Sequence, residues 1–447
     1  MSAVNTDQGG LFFVDGPGGT RKTYLYRVLL ATLRNQGKIA VATATSGVAT
    51  SIMPGGRTTH SRFKIPLTID DGVVCSFTKQ SGTAELLRKS SLIIWDEASM
   101  TKRQAVEALD NSMRDIIGRP GLPFGGKTIV FGGDFRQVLS VIRKGSRAQV
   151  VASLLRMSYL WESMSHLKLV SNMRAKNDPW FAKYLLRVGG GTEVTNSDGD
   201  IRLPDEVCVP YSGSDNDLDN LIDFVFPNLN EKWEHMVYHS FDSAIDDPHN
   251  YYPPEFLNTL TPNGLPPHVL KLKIGCHVIL LRNIDPANGL CNGTRLVVRG
   301  FQRNSIDAEI VLGQYAGKQI FLPRIPLCPS DDEMFPFQFK RKQFPIRLSF
   351  AMTVNKAQGQ TIPNIGVYLP EPVFSHGQLY VALSRATARS NIKILAIAVV
   401  DGKKRSRKGG LMGIRMANKA INEGEEVADM SSALAIEGEC YEQLLYT

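Results

Sequence analysis

The segment Gly16-Pro17-Gly18-Gly19-Thr20-Arg21-Lys22-Thr23 constrains this chain more than any other. It follows an apolar run, Leu11-Phe12-Phe13-Val14, and opens a stretch with Leu25, Val28, Leu29 and Leu33 at helical spacing. Strand, glycine-rich turn and helix in that order make a cradle for a nucleoside triphosphate. The loop residues Gly16, Gly18, Gly19 and Thr20 bring backbone N–H groups to the phosphates. Lys22 reaches the β- and γ-oxygens, and the Thr23 hydroxyl ligates Mg²⁺. The residue before the lysine is normally a second glycine, because the backbone passes too close to the phosphates for a side chain. Here it is Arg21. A side chain there is expected to clash with the phosphates or force the loop open, with its positive charge compensating only in part, so impaired turnover is the expectation.

A chain of 447 residues predicts about two to four domains. With 43% apolar and 21% charged residues it has material for packed cores and is not of disordered type. The net charge of +8 suits a polyanionic partner or a merely solvated basic surface. The six cysteines are scattered without a C-x-x-C pair, so neither a zinc site nor a disulfide framework is indicated. The sequence shows no signal peptide, no transit peptide and no apolar run long enough for a membrane span, which predicts a soluble intracellular protein.

Residues 1–188 alternate strand and helix patterns, with candidate strands at 11–15, 39–45, 91–95, 127–132 and 167–170. Several are continuous apolar runs bounded by turn residues, as buried parallel strands are. Residues 189–232 are polar, glycine-rich and acidic, and are expected to form a linker or peripheral region. Residues 233–399 regain an α/β texture around a β-rich stretch at about 269–323, where Asn288-Gly289 and Asn292-Gly293 separate short apolar runs. Residues 400–447 are expected to be a flexible tail. Its cluster Lys403-Lys404-Arg405-Ser406-Arg407-Lys408 suits nuclear import, a nucleic-acid contact or a solvated linker.

Asp96-Glu97 directly follows the apolar run Leu92 to Trp95. A carboxylate pair at a strand tip is often only a cap. Beside a phosphate loop, Asp96 holds the Mg²⁺ shell and Glu97 orients or deprotonates the attacking water. Gly132-Gly133-Asp134-Phe135-Arg136-Gln137 also follows a strand, and the Gln137 amide can donate to a γ-phosphate while accepting from water. By itself this would read as an ordinary glycine turn. Arg174 and Arg385 are candidate arginine fingers, distinguished from surface charges only by their context.

These motifs together resemble the petite-integration-frequency (Pif-type) family of superfamily 1B DNA helicases, closest to its plant and rolling-circle-transposon branch. The resemblance rests on Phe13 to Thr23, Thr43 to Ala49, Gly55 to Phe63, Trp95 to Met100, Gly132 to Gln137 and Asn172-Met173-Arg174. It continues through Leu280 to Arg295, Phe350 to Thr361 and Gly377 to Thr387, in family order over about residues 11–399. It implies two RecA-like P-loop lobes, each a parallel sheet flanked by helices, with a small β-barrel-like insertion in the second. It also implies ATP and Mg²⁺ as cofactors, and 5′→3′ translocation on single-stranded DNA with unwinding of forked DNA. The implied setting is genome maintenance (repair, recombination, telomere upkeep) in the nucleus, or alternatively the mitochondrion, by a monomer. Carried over, Lys22 and Thr23 bind phosphate and Mg²⁺, Asp96 and Glu97 are metal ligand and base, Gln137 is the γ-phosphate sensor, and Arg174 and Arg385 are fingers. Thr45, Ser46, Thr59, His60, Lys356 and Thr361 line the DNA track, and Phe63 is a candidate for stacking on a base.

The chain departs from the family pattern at Arg21. It also lacks a match to the upstream adenine-recognising glutamine, since Gln8 lies too close to the first strand. Between Leu229 and Tyr238 no counterpart appears for the strand–turn–helix that opens the second lobe, so that lobe is expected to lack a sheet strand. Ala357 stands where many relatives carry serine. A catalytically impaired single-strand-binding remnant is therefore the second reading, and a different P-loop ATPase the third.

Overall fold

The computed structural model describes residues 2–396 except 6–8, 67, 141, 143–144, 197–199, 215, 228–234, 246, 248–250, 263, 286–287, 312–314, 330–335, 371–372 and 374–375, and beyond them the short strands Val399–Val400, Lys403–Lys404 and Gly413–Arg415. Among the described residues no helix is long and apolar enough to cross a membrane.

The first lobe is built on six parallel strands: β1 (Gly10–Asp15), β2 (Ile39–Ala44), β3 (Arg57–Thr58), β4 (Ser90–Asp96), β5 (Thr128–Gly133) and β6 (Met164–Lys168), in the order β3-β2-β4-β5-β1-β6. Each interior strand is apolar on both faces because each face is covered. Leu11, Phe13, Ile93, Trp95, Ile129 and Phe131 enter one core. Val14, Leu92, Ile94 and Val130 enter the other, with Tyr26, Leu30 and Leu33 of the helix Lys22–Asn35. Of the expected helix face, Leu33 lies in this core and Leu25 and Leu29 pack against it, while Val28 is exposed and Tyr26 fills the place against the sheet. Strand β6 begins three residues before its expected start. At the edge of the sheet its apolar Leu167 remains 48% exposed, so the apolar run there is not a burial signal.

The second lobe is smaller. Its sheet is a parallel pair, Ile365–Leu369 with Ile392–Ala396, extended by a single bridge from Cys208 to Ile394. Residues 175–207 share its core: Phe181, Tyr184, Leu185, Val188, Ile201 and Val207 pack with Ile365, Val367, Leu379, Ile392 and Ile394. The helix Asn216–Val225 adds Leu221 against Leu395. The stretch 189–232, expected to form a linker or peripheral region, sends Ile201, Leu203 and Val207 into this core and Leu221 against Leu395, while Val194 stays exposed. The tail is not wholly free of structure either: Gly413–Arg415 pairs antiparallel with Asp200–Arg202. The missing family segment falls largely on residues 228–234, outside the described residues.

The β-rich insertion is larger than its sequence texture. A five-stranded antiparallel sheet runs Gln319–Pro323, Ser305–Ile310, Arg295–Phe301, His277–Leu280, Ile346–Leu348. Two small sheets flank it, which join His235–His239 to Val269–Lys273 and Phe241–Ala244 to Phe339–Gln343. A buried ion pair pins this flank: Arg341 donates to both Asp242 oxygens (2.9 and 2.6 Å) and to the carbonyls of Pro266 and Leu260.

Candidate nucleotide-binding site

The phosphate loop, Asp96-Glu97 and the turn after Gly133 all leave the same edge of the sheet, from the adjacent strands β1, β4 and β5. Ligand sites in parallel sheets form at this carboxyl edge. The second lobe closes over it and leaves a cavity of about 370 Å³, lined by Gly18, Gly19, Thr20, Arg21, Lys22 and Thr23 of the loop, by Asp96, Glu97, Gln137 and Arg174, and by Thr361 and Arg385 of the second lobe.

The loop is held from several sides. Lys22, nearly buried, donates its Nζ to the Gly16 carbonyl, and Thr20 Oγ1 donates to Pro17 O at 2.9 Å. Gly16 itself lies behind the lining, where a Cβ would meet Thr20 Oγ1 at 2.5 Å. Gly19 has φ +92°, and a Cβ there would strike Asn172 and Arg174, whose segment covers the loop by donating Met173 N to Gly19 O at 2.9 Å. Arg21 adopts φ 62°, ψ 33°, the left-handed conformation a glycine would take, and its side chain is exposed. The expected forced opening of the loop does not occur. The helix still starts at Lys22, and the arginine has adopted the glycine's backbone.

The acidic pair lies deep in the site. Burial and the neighbouring Glu97 raise the Asp96 carboxyl to about 7, against the pull of Lys22. Glu97 has φ 55°, and its carbonyl accepts from Thr45 Oγ1 at 2.9 Å. On the other side two guanidiniums face the cavity. Arg385 is buried and donates to Val381 O and Gln360 O (2.9 and 3.2 Å), and Arg174 donates to Ser384 O. Burial first, and then the adjacent Arg385, push Arg174 down to about 9. Lys22, Arg174 and Arg385 thus form a desolvated cationic ring, which suits a polyanion. Gln137 is 2% exposed, and its Oε1 is buried without a partner while its Nε2 approaches Asp134 at 3.5 Å.

Sequence reasoning assigned no role to three residues that join the lobes. Asp134 Oδ2 accepts from Gly18 N (3.1 Å) and from Tyr380 OH (2.9 Å), while Tyr380 OH also accepts from Gly18 N (2.9 Å). Gln358 Nε2 reaches Glu97 Oε2 at 3.3 Å. Each sits inside a quoted motif, but contacts between residues 246 or 261 positions apart carry no local pattern.

The expected DNA-track residues divide. Ser46 and His60 are partly exposed, and Ser46 also caps the helix Gly47–Ser51. Thr45 is engaged internally with Glu97, Thr101 and Trp95. Thr361 lines the nucleotide cavity. Thr59 and Phe63 are fully buried, on one face of the short helix Thr59–Phe63, with Phe63 packed 6.0 Å from Trp95. Phe63 is therefore a core residue and has no face to offer a base. The side chain of Lys356 lies outside the described residues.

A family model for PIF1-like helicase matches residues 1–199, and one for the 2B domain of the DNA helicase Pif1 matches residues 255–301. Over these residues the chain is similar to the PIF1-like helicase family. The stretch matched to the 2B domain lies within the β-rich insertion. The ATP-dependent DNA helicase PIF1 of Danio rerio is 28% identical over 401 residues, which cover 86% of this chain and 58% of that protein. The chain thus spans less than two thirds of that relative. The ATP-dependent DNA helicase Pif1 of Bdellovibrio bacteriovorus is 28% identical over 394 residues, covering 86% and 83%. The crystal structure of Bacteroides Pif1 bound to ssDNA aligns with TM-score 0.59 at 25% identity, over 88% of this chain and 90% of that one.

Proposed function

We propose that this chain is an ATP-driven DNA motor, which couples hydrolysis to 5′→3′ movement along single-stranded DNA and to unwinding of forked duplexes. The observation that carries the reading is the convergence of Lys22, Asp96, Glu97 and Gln137 from one lobe with Arg385 from the other on a single cavity bounded by a cationic ring. A site divided between lobes changes shape when its ligand is cleaved, and relative lobe motion is what moves such a protein along a strand. The relatives named above supply the direction of the reading: two are called ATP-dependent DNA helicases, and Bacteroides Pif1 is seen bound to ssDNA.

A magnesium ion fits the site. Burial and the adjacent Glu97 push the Asp96 carboxyl up, a crowding of carboxylates that a divalent cation relieves, and Asp96 with Thr23 offers the hard oxygen donors that Mg²⁺ takes alongside phosphates. Once bound it would neutralise charge on the β- and γ-oxygens. The protein's own part is to hold the phosphates on the loop amides and Lys22, to place Glu97 and Gln137 at the attacking water, and to offer Arg174 and Arg385 to the charge that develops.

On the DNA side, Ser46 and His60 with backbone donors after β2 and β3 contact phosphates without reading sequence. We place the lobes as RecA-like motor lobes, the protein as a monomer, the plant and transposon branch as its origin, and genome maintenance in the nucleus as its setting. Arg21 in place of the loop glycine favours one competing reading, a DNA-binding remnant without turnover. A strand-displacement assay separates the two. The motor reading expects ATP-dependent displacement on a 5′-tailed fork, none on a 3′-tailed one, and loss in Lys22→Ala. Binding of both forks without displacement supports the remnant.

A further inference from the structure

The loop after the turn Val354–Ala357 in the second lobe carries a glutamine that no step above uses. Gln358 is 1% exposed, and its Nε2 lies 3.3 Å from Glu97 Oε2 in the first lobe. The amide orientation is set by chemistry: with the group turned over, its oxygen would face a carboxylate oxygen, and neither atom can donate. The Gln358 Oε1 is then left buried without a partner beside Glu97. A buried acceptor of this kind costs stability unless a donor arrives, and a water proton is such a donor.

The same loop is tied to the finger. Arg385 Nη1 donates to Gln360 O at 3.2 Å and lies 3.5 Å from Ala357 O, one residue before Gln358. Gly359 and Thr361 line the cavity. A single short loop therefore touches the general base on one side and the arginine finger on the other. Glu97 needs such support. It stands at φ 55°, just past the end of β4, and its carboxylate has no other hydrogen-bond donor recorded among the described residues.

We propose that Gln358 is a positioning residue for Glu97, which fixes the base carboxylate from the opposite lobe so that the base is oriented for attack only while the lobes are together. The inference rests on the hydrolytic reading of this cavity. It makes lobe closure a condition for cleavage, and it ties the base and the finger to one moving element.

The test compares Gln358→Ala and Gln358→Glu with the unaltered protein, reading kcat and KM for ATP in saturating single-stranded DNA. In Gln358→Ala kcat is expected to fall about tenfold or more, a part of the ~10²–10⁴-fold that a positioned general base contributes, with KM changed by less than about twofold. Gln358→Glu sets two carboxylates against each other and is expected to lose more than Gln358→Ala. Unchanged kcat in Gln358→Ala overturns the proposal, and so does a fall matched by equal losses in KM and thermal stability. Should the unaltered protein not hydrolyse ATP, it is the motor reading that fails, and the contact is then tested directly. The double variant Glu97→Cys with Gln358→Cys is exposed to a short bifunctional thiol reagent. Cross-linking that depends on both cysteines supports the contact, and its absence overturns the proposal.

Discussion

Replacing Arg21 by glycine has two separable consequences. The backbone there is left-handed, at φ 62°, ψ 33°. That conformation costs a residue with a Cβ about 1–2 kcal/mol. Glycine removes the cost but adds unfolded-state freedom worth about 0.5–1 kcal/mol, so the net gain is about 0–1.5 kcal/mol. For a lobe of this size that is a rise in Tm of no more than about 6 °C. For turnover, the exposed side chain leaves the loop in the form that a glycine would give it. Arg21→Gly is then expected to change kcat/KM for ATP by less than about tenfold, equivalent to 1.4 kcal/mol. Melting followed by fluorescence and steady-state hydrolysis on single-stranded DNA read the two effects. Had the arginine displaced the phosphates by about 1 Å, a loss near 10²-fold would be restored by glycine. Turnover seen only in Arg21→Gly would therefore refute the reasoning.

Other residues give further tests. Phe63→Ala should destabilise the first lobe by about 3–5 kcal/mol in denaturant unfolding, and lower DNA affinity only as far as folding is lost, since Phe63 is buried against Trp95. Asp242→Ala strands the buried Arg341 and should cost about 3–5 kcal/mol, read by denaturant unfolding of the insertion. His376, whose Nε2 donates to Phe135 O across the lobes, is pushed below the ordinary histidine value chiefly by burial. The folded state then binds fewer protons, so its contribution is present above the usual histidine pKa of about 6.5 and is lost as pH falls below it. His376→Gln keeps a donor and should flatten the fall of Tm below that pH. An unchanged slope would count against it.

The loop, Asp96-Glu97 and Gln137 were legible because each follows a continuous apolar run that can only be a buried strand, which fixes them on one edge of one sheet. Arg385 was legible only through its motif, since nothing local shows that it turns inward. What escaped the sequence was tertiary. Phe63, a candidate for stacking on a base, shares one face of a short helix with Thr59, and that face is buried. Residues 189–232 read as a linker or peripheral region, and the helix Asn216–Val225 within them offers only a narrow apolar face, led by Leu221, to the second lobe. The contacts of Tyr380 with Gly18 and Asp134, and of Gln358 with Glu97, join distant segments and depend on how the lobes meet.

The most direct test of the account is ATP hydrolysis by the unaltered protein, with and without single-stranded DNA. The account predicts turnover that DNA stimulates and that Arg385→Ala abolishes. DNA binding without any hydrolysis, unchanged by Arg385→Ala, would contradict it.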